Sequence, residues 1–89
     1  MQINERELAV INYAIAIEDG KPRTFQVQSM HVPVSIFSKV SALSKDGAFI
    51  PGDIELSTQE KALAIECIEG TRWTVADGEP VISLLEKLK

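Results

Sequence analysis

Cysteine, histidine, clustered bases and long apolar runs are all scarce in this 89-residue chain, and each scarcity removes a class of function. Cys67 is the only cysteine, so no disulfide framework can brace a monomer. A lone thiol suits a reducing compartment, and a cytoplasmic location is the expectation. With His31 as the only histidine, one chain cannot supply the usual four-ligand zinc set. Asp53 and Glu55 lack the Asp-x-Asp-x-Asp-Gly frame of a calcium loop, and the five glycines stand singly, so no phosphate-cradling loop is present. No metal or cofactor is expected. Neither is an enzyme, because no nucleophile elbow surrounds a serine and no group of residues forms a catalytic motif.

The first ten residues, MQINERELAV, place acids where a signal peptide has bases, and read as part of the domain. The longest strongly apolar stretch runs from Leu8 to Ile17, interrupted by Asn12. It has about half the ~20 residues that a membrane span needs, so no membrane partner is expected. Nine basic against thirteen acidic side chains give a net charge of −4, and the bases are scattered. Binding to a phosphate backbone rests on clustered Lys and Arg, so this balance argues against nucleic acid.

What is present suits one small soluble domain, residues 1–89, with 45% hydrophobic residues to form its core. Four helices are predicted. Asn4 and Glu7 form a capping-box pattern ahead of a helix over 5–18, with Gly20 as a left-handed stop. Pro33 lies in the first turn of a helix over 33–45. Ser57 and Glu60 repeat the capping box ahead of a helix over 58–69 that stops at Gly70. Asp77 and Pro80 open a last helix over 79–89, whose dipole Lys87 and Lys89 complement.

Two strands are predicted where apolar and polar residues alternate. RTFQVQS sets Phe25 and Val27 on one face, and TRWTVA sets Trp73 and Val75 towards the core. A third extended piece lies in AFIPGDIEL, around a Pro51-Gly52 turn. The Asp-Gly pairs at Asp19, Asp46 and Asp77 read as turn or capping chemistry. For residues 9–18 a strand is the alternative to a helix, with EDGKP closing a hairpin.

The halves 4–45 and 57–89 echo one another. Glu7 matches Glu60 at an offset of 60 − 7 = 53, Phe25 matches Trp73 at 48, and Pro33 matches Pro80 at 47. Each half reads as capped helix, aromatic strand, proline, second helix. The fold class expected is therefore α+β, four helices around two or three short strands, built as two similar helix–strand–helix units.

At 100° per residue the first helix carries two apolar stripes, Leu8, Ile11 and Ile15 on one side and Val10, Tyr13 and Ile17 on another. Such a helix is either central to its own domain or buried in a subunit interface. The interface reading leads to a homodimer or larger complex. Glu66 and Glu69 on the third helix form an acidic patch that suits a basic partner surface, or simply a solvated face.

TFQVQSM, PVSIFSKVSALSK and STQEKALAIECIE run in an order similar to the strand–helix–helix of ribbon-helix-helix DNA-binding dimers. That resemblance covers the middle of the chain and implies that Gln26 and Gln28 face the major groove. The connection from Asp46 to Leu56 is longer than that family's turn, and Arg23 is the strand's only base. The leading expectation is a small acidic protein-interaction module, a regulator, adaptor or inhibitor acting by binding another protein. A dimeric DNA-binding regulator is the alternative.

Overall fold

Two capping boxes set where the longest helices begin. Asn4 Oδ1 accepts the Glu7 N–H at 2.9 Å while Glu7 Oε1 accepts the Asn4 N–H at 3.0 Å, which starts α1 at Glu5–Ala16. Ser57 and Glu60 do the same at 3.1 and 2.8 Å and start α3 at Thr58–Glu69. Helices α2 (His31–Ser41) and α4 (Gly78–Leu88) carry their prolines in the first turn, where no helical N–H is lost. These elements come from a computed structural model, which describes residues 1–89.

Six two-residue strands complete an α+β fold. They are β1 (Gln2–Ile3), β2 (Ile17–Glu18), β3 (Lys21–Pro22), β4 (Ser44–Lys45), β5 (Ala48–Phe49) and β6 (Gly52–Asp53). They pair antiparallel as β1–β6, β2–β3 and β4–β5. Asp19-Gly20 and Asp46-Gly47 close the last two pairs with all four residues at positive φ, between 52° and 80°, the geometry of a type I′ hairpin. The first helix is therefore helical but two residues shorter than expected. Gly20 closes a hairpin and does not stop a helix. Likewise α2 starts two residues early and yields Ser44-Lys45 to β4.

Neither aromatic segment is a strand. Residues 23–26 and 72–74 belong to no strand, although the Arg23 N–H still donates to the Ala16 carbonyl beside the β2–β3 hairpin, and each segment leads into a 3₁₀ turn, Val27–Ser29 and Val75–Asp77. Alternation required Val27 and Val75 to face inwards, yet they are 86% and 98% exposed. Without a neighbouring strand there is no pleated face to enforce the alternation. The segment that the DNA-binding resemblance needs as a strand thus forms none within the single chain.

Helix α1 packs against α2, α3 and α4. Leu8 and Ile11 are fully buried, Val10 and Ile15 nearly so, within a core shared with Ile36, Val40, Ala64, Ile68 and Leu84. The first stripe and Val10 are covered inside the chain, as the central-helix reading requires. The interface assigned to Leu8, Val10, Ile11 and Ile15 is corrected accordingly. Of that set, only Tyr13 stays substantially open, at 45%, with Ile17 half-buried. A Cα radius of gyration of 12.2 Å matches the ~12 Å of a single 89-residue domain. No helix is long and apolar enough to cross a membrane.

Both capping glutamates are also buried charges. Glu7 Oε1 accepts from Lys87 Nζ at 2.8 Å and its Oε2 from Ser83 Oγ at 2.7 Å, both on α4. Glu60 Oε1 accepts from Lys39 Nζ at 2.7 Å and its Oε2 from Ser35 Oγ at 2.8 Å, both on α2. Burial pushes each carboxyl up. The lysine, the cap N–H and the serines more than offset it, holding Glu7 below its ordinary value and Glu60 at about 2.

A carboxylate depressed in the fold stabilises it above its unfolded value, and that stability is lost as pH falls through the folded value. For Glu60 the gap from 4.5 to about 2 corresponds to about 3 kcal/mol. Glu60→Gln is expected to lower the unfolding free energy by about that much at pH 7 and to differ little from the parent near pH 2, read by urea titration at both pH values. Lys87→Met leaves the Glu7 carboxylate buried without its cation, and is expected to cost about 3 kcal/mol. Ile11→Ala is expected to cost about 3 kcal/mol, with a urea midpoint that does not move over a hundredfold (about) range of protein concentration.

Candidate functional site

The 3₁₀ turn at Val75–Asp77 follows an extended piece that lies against the outer side of α1. Trp73 is anchored there, its Nε1–H donating to the Ile68 carbonyl at the end of α3, at 3.0 Å. Its ring meets Tyr13 with centroids 5.6 Å apart and planes tilted by 59°. That tilted geometry is one that aromatic pairs favour. Arg6 Nη2 donates to the Ala76 carbonyl at 2.9 Å and ties the turn to α1. Thr74 Oγ1 donates to Asp77 Oδ2 at 3.0 Å and holds that carboxylate at the edge.

Between these elements lies an open groove of about 460 Å³. Val10, Ala9 and Pro80 give it an apolar lining, Tyr13 and Trp73 an aromatic wall. Arg6, Arg72 and Asp77 stand round it. The five ion pairs of the chain include neither arginine, so both guanidinium charges are unpaired. The groove can therefore take an apolar or aromatic side chain and, beside it, a carboxylate held by charge-assisted hydrogen bonds.

Of the residues singled out from sequence, Tyr13 and Val10 belong to this groove, while Leu8, Ile11 and Ile15 lie in the core beneath. Ile17 sits in β2. Glu66 and Glu69 are both exposed on α3 but differ in company. Glu69 pairs with Lys89 at 2.8 Å, and Glu66 has no cationic partner. Trp73 had read as a core residue in a strand. It is half-buried and turns one side to the groove, a placement set by its N–H anchor.

No local pattern links Arg6 with Arg72, because they lie 66 residues apart, 72 − 6, and only the docking of the last turn on α1 joins them. Arg23 is a different case. Its Nε donates to the Ala14 carbonyl at 2.9 Å and completes the end of α1, so it is a cap. Cys67 is 2% exposed, and burial pushes its thiol up, which leaves it protonated and inert. No group of three or more His, Cys, Asp or Glu side chains is placed to hold a metal ion.

Trp73 is the only tryptophan, so its emission reports on the groove alone. Tyr13→Ala is expected to shift that emission to the red and to lower the unfolding free energy by about 1 kcal/mol, checked by fluorescence and urea titration. Comparison of the chain with protein-family models, with curated proteins and with solved structures gave no match.

Proposed function

We propose that this domain is a protein-interaction module that holds an apolar side chain of its partner in the Tyr13–Trp73 groove. The observation that carries the reading is the combination at one place of a half-open aromatic pair and two unpaired arginines. Aromatic and arginine side chains are the residues most often found to dominate binding energy at interfaces. The partner segment accordingly carries an acidic residue next to its apolar anchor. The rest of the chain, at a net charge of −4, repels acidic segments, which confines them to this groove. The dimer expectation keeps only Tyr13 and Ile17 of its six residues as partly open surface. The DNA-binding alternative draws no support from TFQVQSM, which forms no strand within the single chain.

A blocked pentapeptide of phenylalanine flanked on each side by two glutamates is the probe. Its addition is expected to change Trp73 emission to saturation, with an affinity that falls as salt rises. Arg72→Glu is expected to weaken binding about fivefold. No saturable change, or an equal response to the same peptide built with lysines, overturns the reading.

A further inference from the structure

The first groove has a counterpart. Helices α1 and α3 correspond in extent at an offset of 53, although the buried Leu8 and Val10 fall opposite the half-buried Lys61 and Leu63. Both have twelve residues, and Glu7, Ile11, Ala14 and Ile15 are buried as are Glu60, Ala64, Cys67 and Ile68. From the aromatic segment onward the two halves correspond at 48. The 3₁₀ turns begin at Val27 and Val75, and Ser35 and Lys39 hold Glu60 as Ser83 and Lys87 hold Glu7. A second open groove, of about 290 Å³, lies between α3 and the segment that runs from Phe25 to Val32.

Its lining repeats the first groove position by position. On the helix side Gln59 stands for Arg6, Ala62 for Ala9 and Leu63 for Val10, each 53 residues on. On the other side Phe25 stands for Trp73, Ser29 for Asp77 and Val32 for Pro80, each 48 residues back. The remaining lining residue is Glu66, which takes the place of Tyr13. Each groove thus draws one wall from each half. The apolar frame is kept while the charge is reversed. Arg6 has become Gln59, the position of Arg72 is Thr24, and the aromatic Tyr13 has become the unpaired carboxylate of Glu66. The turn beside each groove also carries an outward valine, Val27 at 86% and Val75 at 98% exposure, and neither lines its groove.

We infer that the groove at Phe25, Leu63 and Glu66 is a second docking site, which takes an apolar side chain flanked by a basic residue, and that the domain is bivalent. The occupant follows from charge complementarity: an apolar cleft whose only charged lining residue is an unpaired glutamate favours a lysine or arginine beside the anchor. The inference rests on the reading of the first groove for the kind of contact made, and on the residue correspondence for the second place. Two neighbouring segments of one partner, or two partners of opposite charge, could then be held by one 89-residue chain.

The test is a titration of the ¹⁵N-labelled full chain with two blocked pentapeptides, phenylalanine flanked by lysines and phenylalanine flanked by glutamates. The lysine peptide is expected to shift the amides of Gln59, Leu63, Glu66 and Val32, and to leave Trp73 emission unchanged. The glutamate peptide is expected to shift those of Arg6, Tyr13 and Trp73. Glu66→Lys is expected to weaken the lysine peptide about fivefold while the glutamate peptide binds as before, which also shows that the variant is folded. Failure of the lysine peptide to shift the α3 amides, or equal binding to Glu66→Lys, overturns the second site whatever the glutamate peptide does. Failure of the glutamate peptide alone overturns only the first.

Discussion

Two carboxylates taken out of water, Glu7 and Glu60, set the terms for the rest of this fold. Each closes its own helix start and is held by a serine and a lysine from a helix of the other half. A buried carboxylate without such partners costs several kcal/mol. The helices α2 and α4 must therefore sit where their Ser and Lys reach across, and that placement in turn positions the extended segments and 3₁₀ turns that precede them. The grooves are a by-product of the same arrangement. Each forms where a turn leading into one clamped helix lies against the capped helix of the opposite half.

The crossed clamps also account for the apolar character of α1. A helix that receives α4 at its start, and that packs on α2 and α3 as well, has little solvated face to offer. Of its second stripe Val10 is covered within the chain, while Tyr13 and Ile17 remain partly open. What remains outside is the short arc with Arg6, Ala9 and Tyr13, and this arc forms one wall of the first groove. On α3 the corresponding arc carries Gln59, Ala62 and Glu66. The groove surfaces are thus made from the positions that the core does not claim, and these are the positions at which the two halves differ in charge.

Helix starts were legible in the sequence because capping is local: Asn4 with Glu7 and Ser57 with Glu60 are three residues apart, and so are their hydrogen bonds. The Asp19-Gly20 and Asp46-Gly47 turns were legible for the same reason, whereas Asp77 makes no side-chain bond to the start of α4 and accepts from Thr74 instead. The aromatic segments misled because alternation signals a strand only where another strand supplies the pleated surface, and here Trp73 is instead anchored by one N–H to the end of α3. The echo between halves was visible but its register was off by one. The prolines align at 47, whereas burial and the Ser–Lys pairs align at 48, so that Pro33 faces as Val81 does and Ile36 as Leu84. Lys87 read as a dipole partner at a helix end. Its true contact, 80 residues away, is a tertiary fact that no local pattern carries.

That separation gives the two equivalent clamps unequal costs of closure. Lys39 and Glu60 lie 21 residues apart in the chain, Glu7 and Lys87 80. Loop closure grows with the logarithm of length, so joining the second pair from an open chain costs about 1 kcal/mol more in entropy. The Lys39–Glu60 clamp thus closes at the smaller entropic cost, although the two clamps match in the folded molecule. The groove at Trp73, which joins the two ends of the chain, rests on the costlier closure.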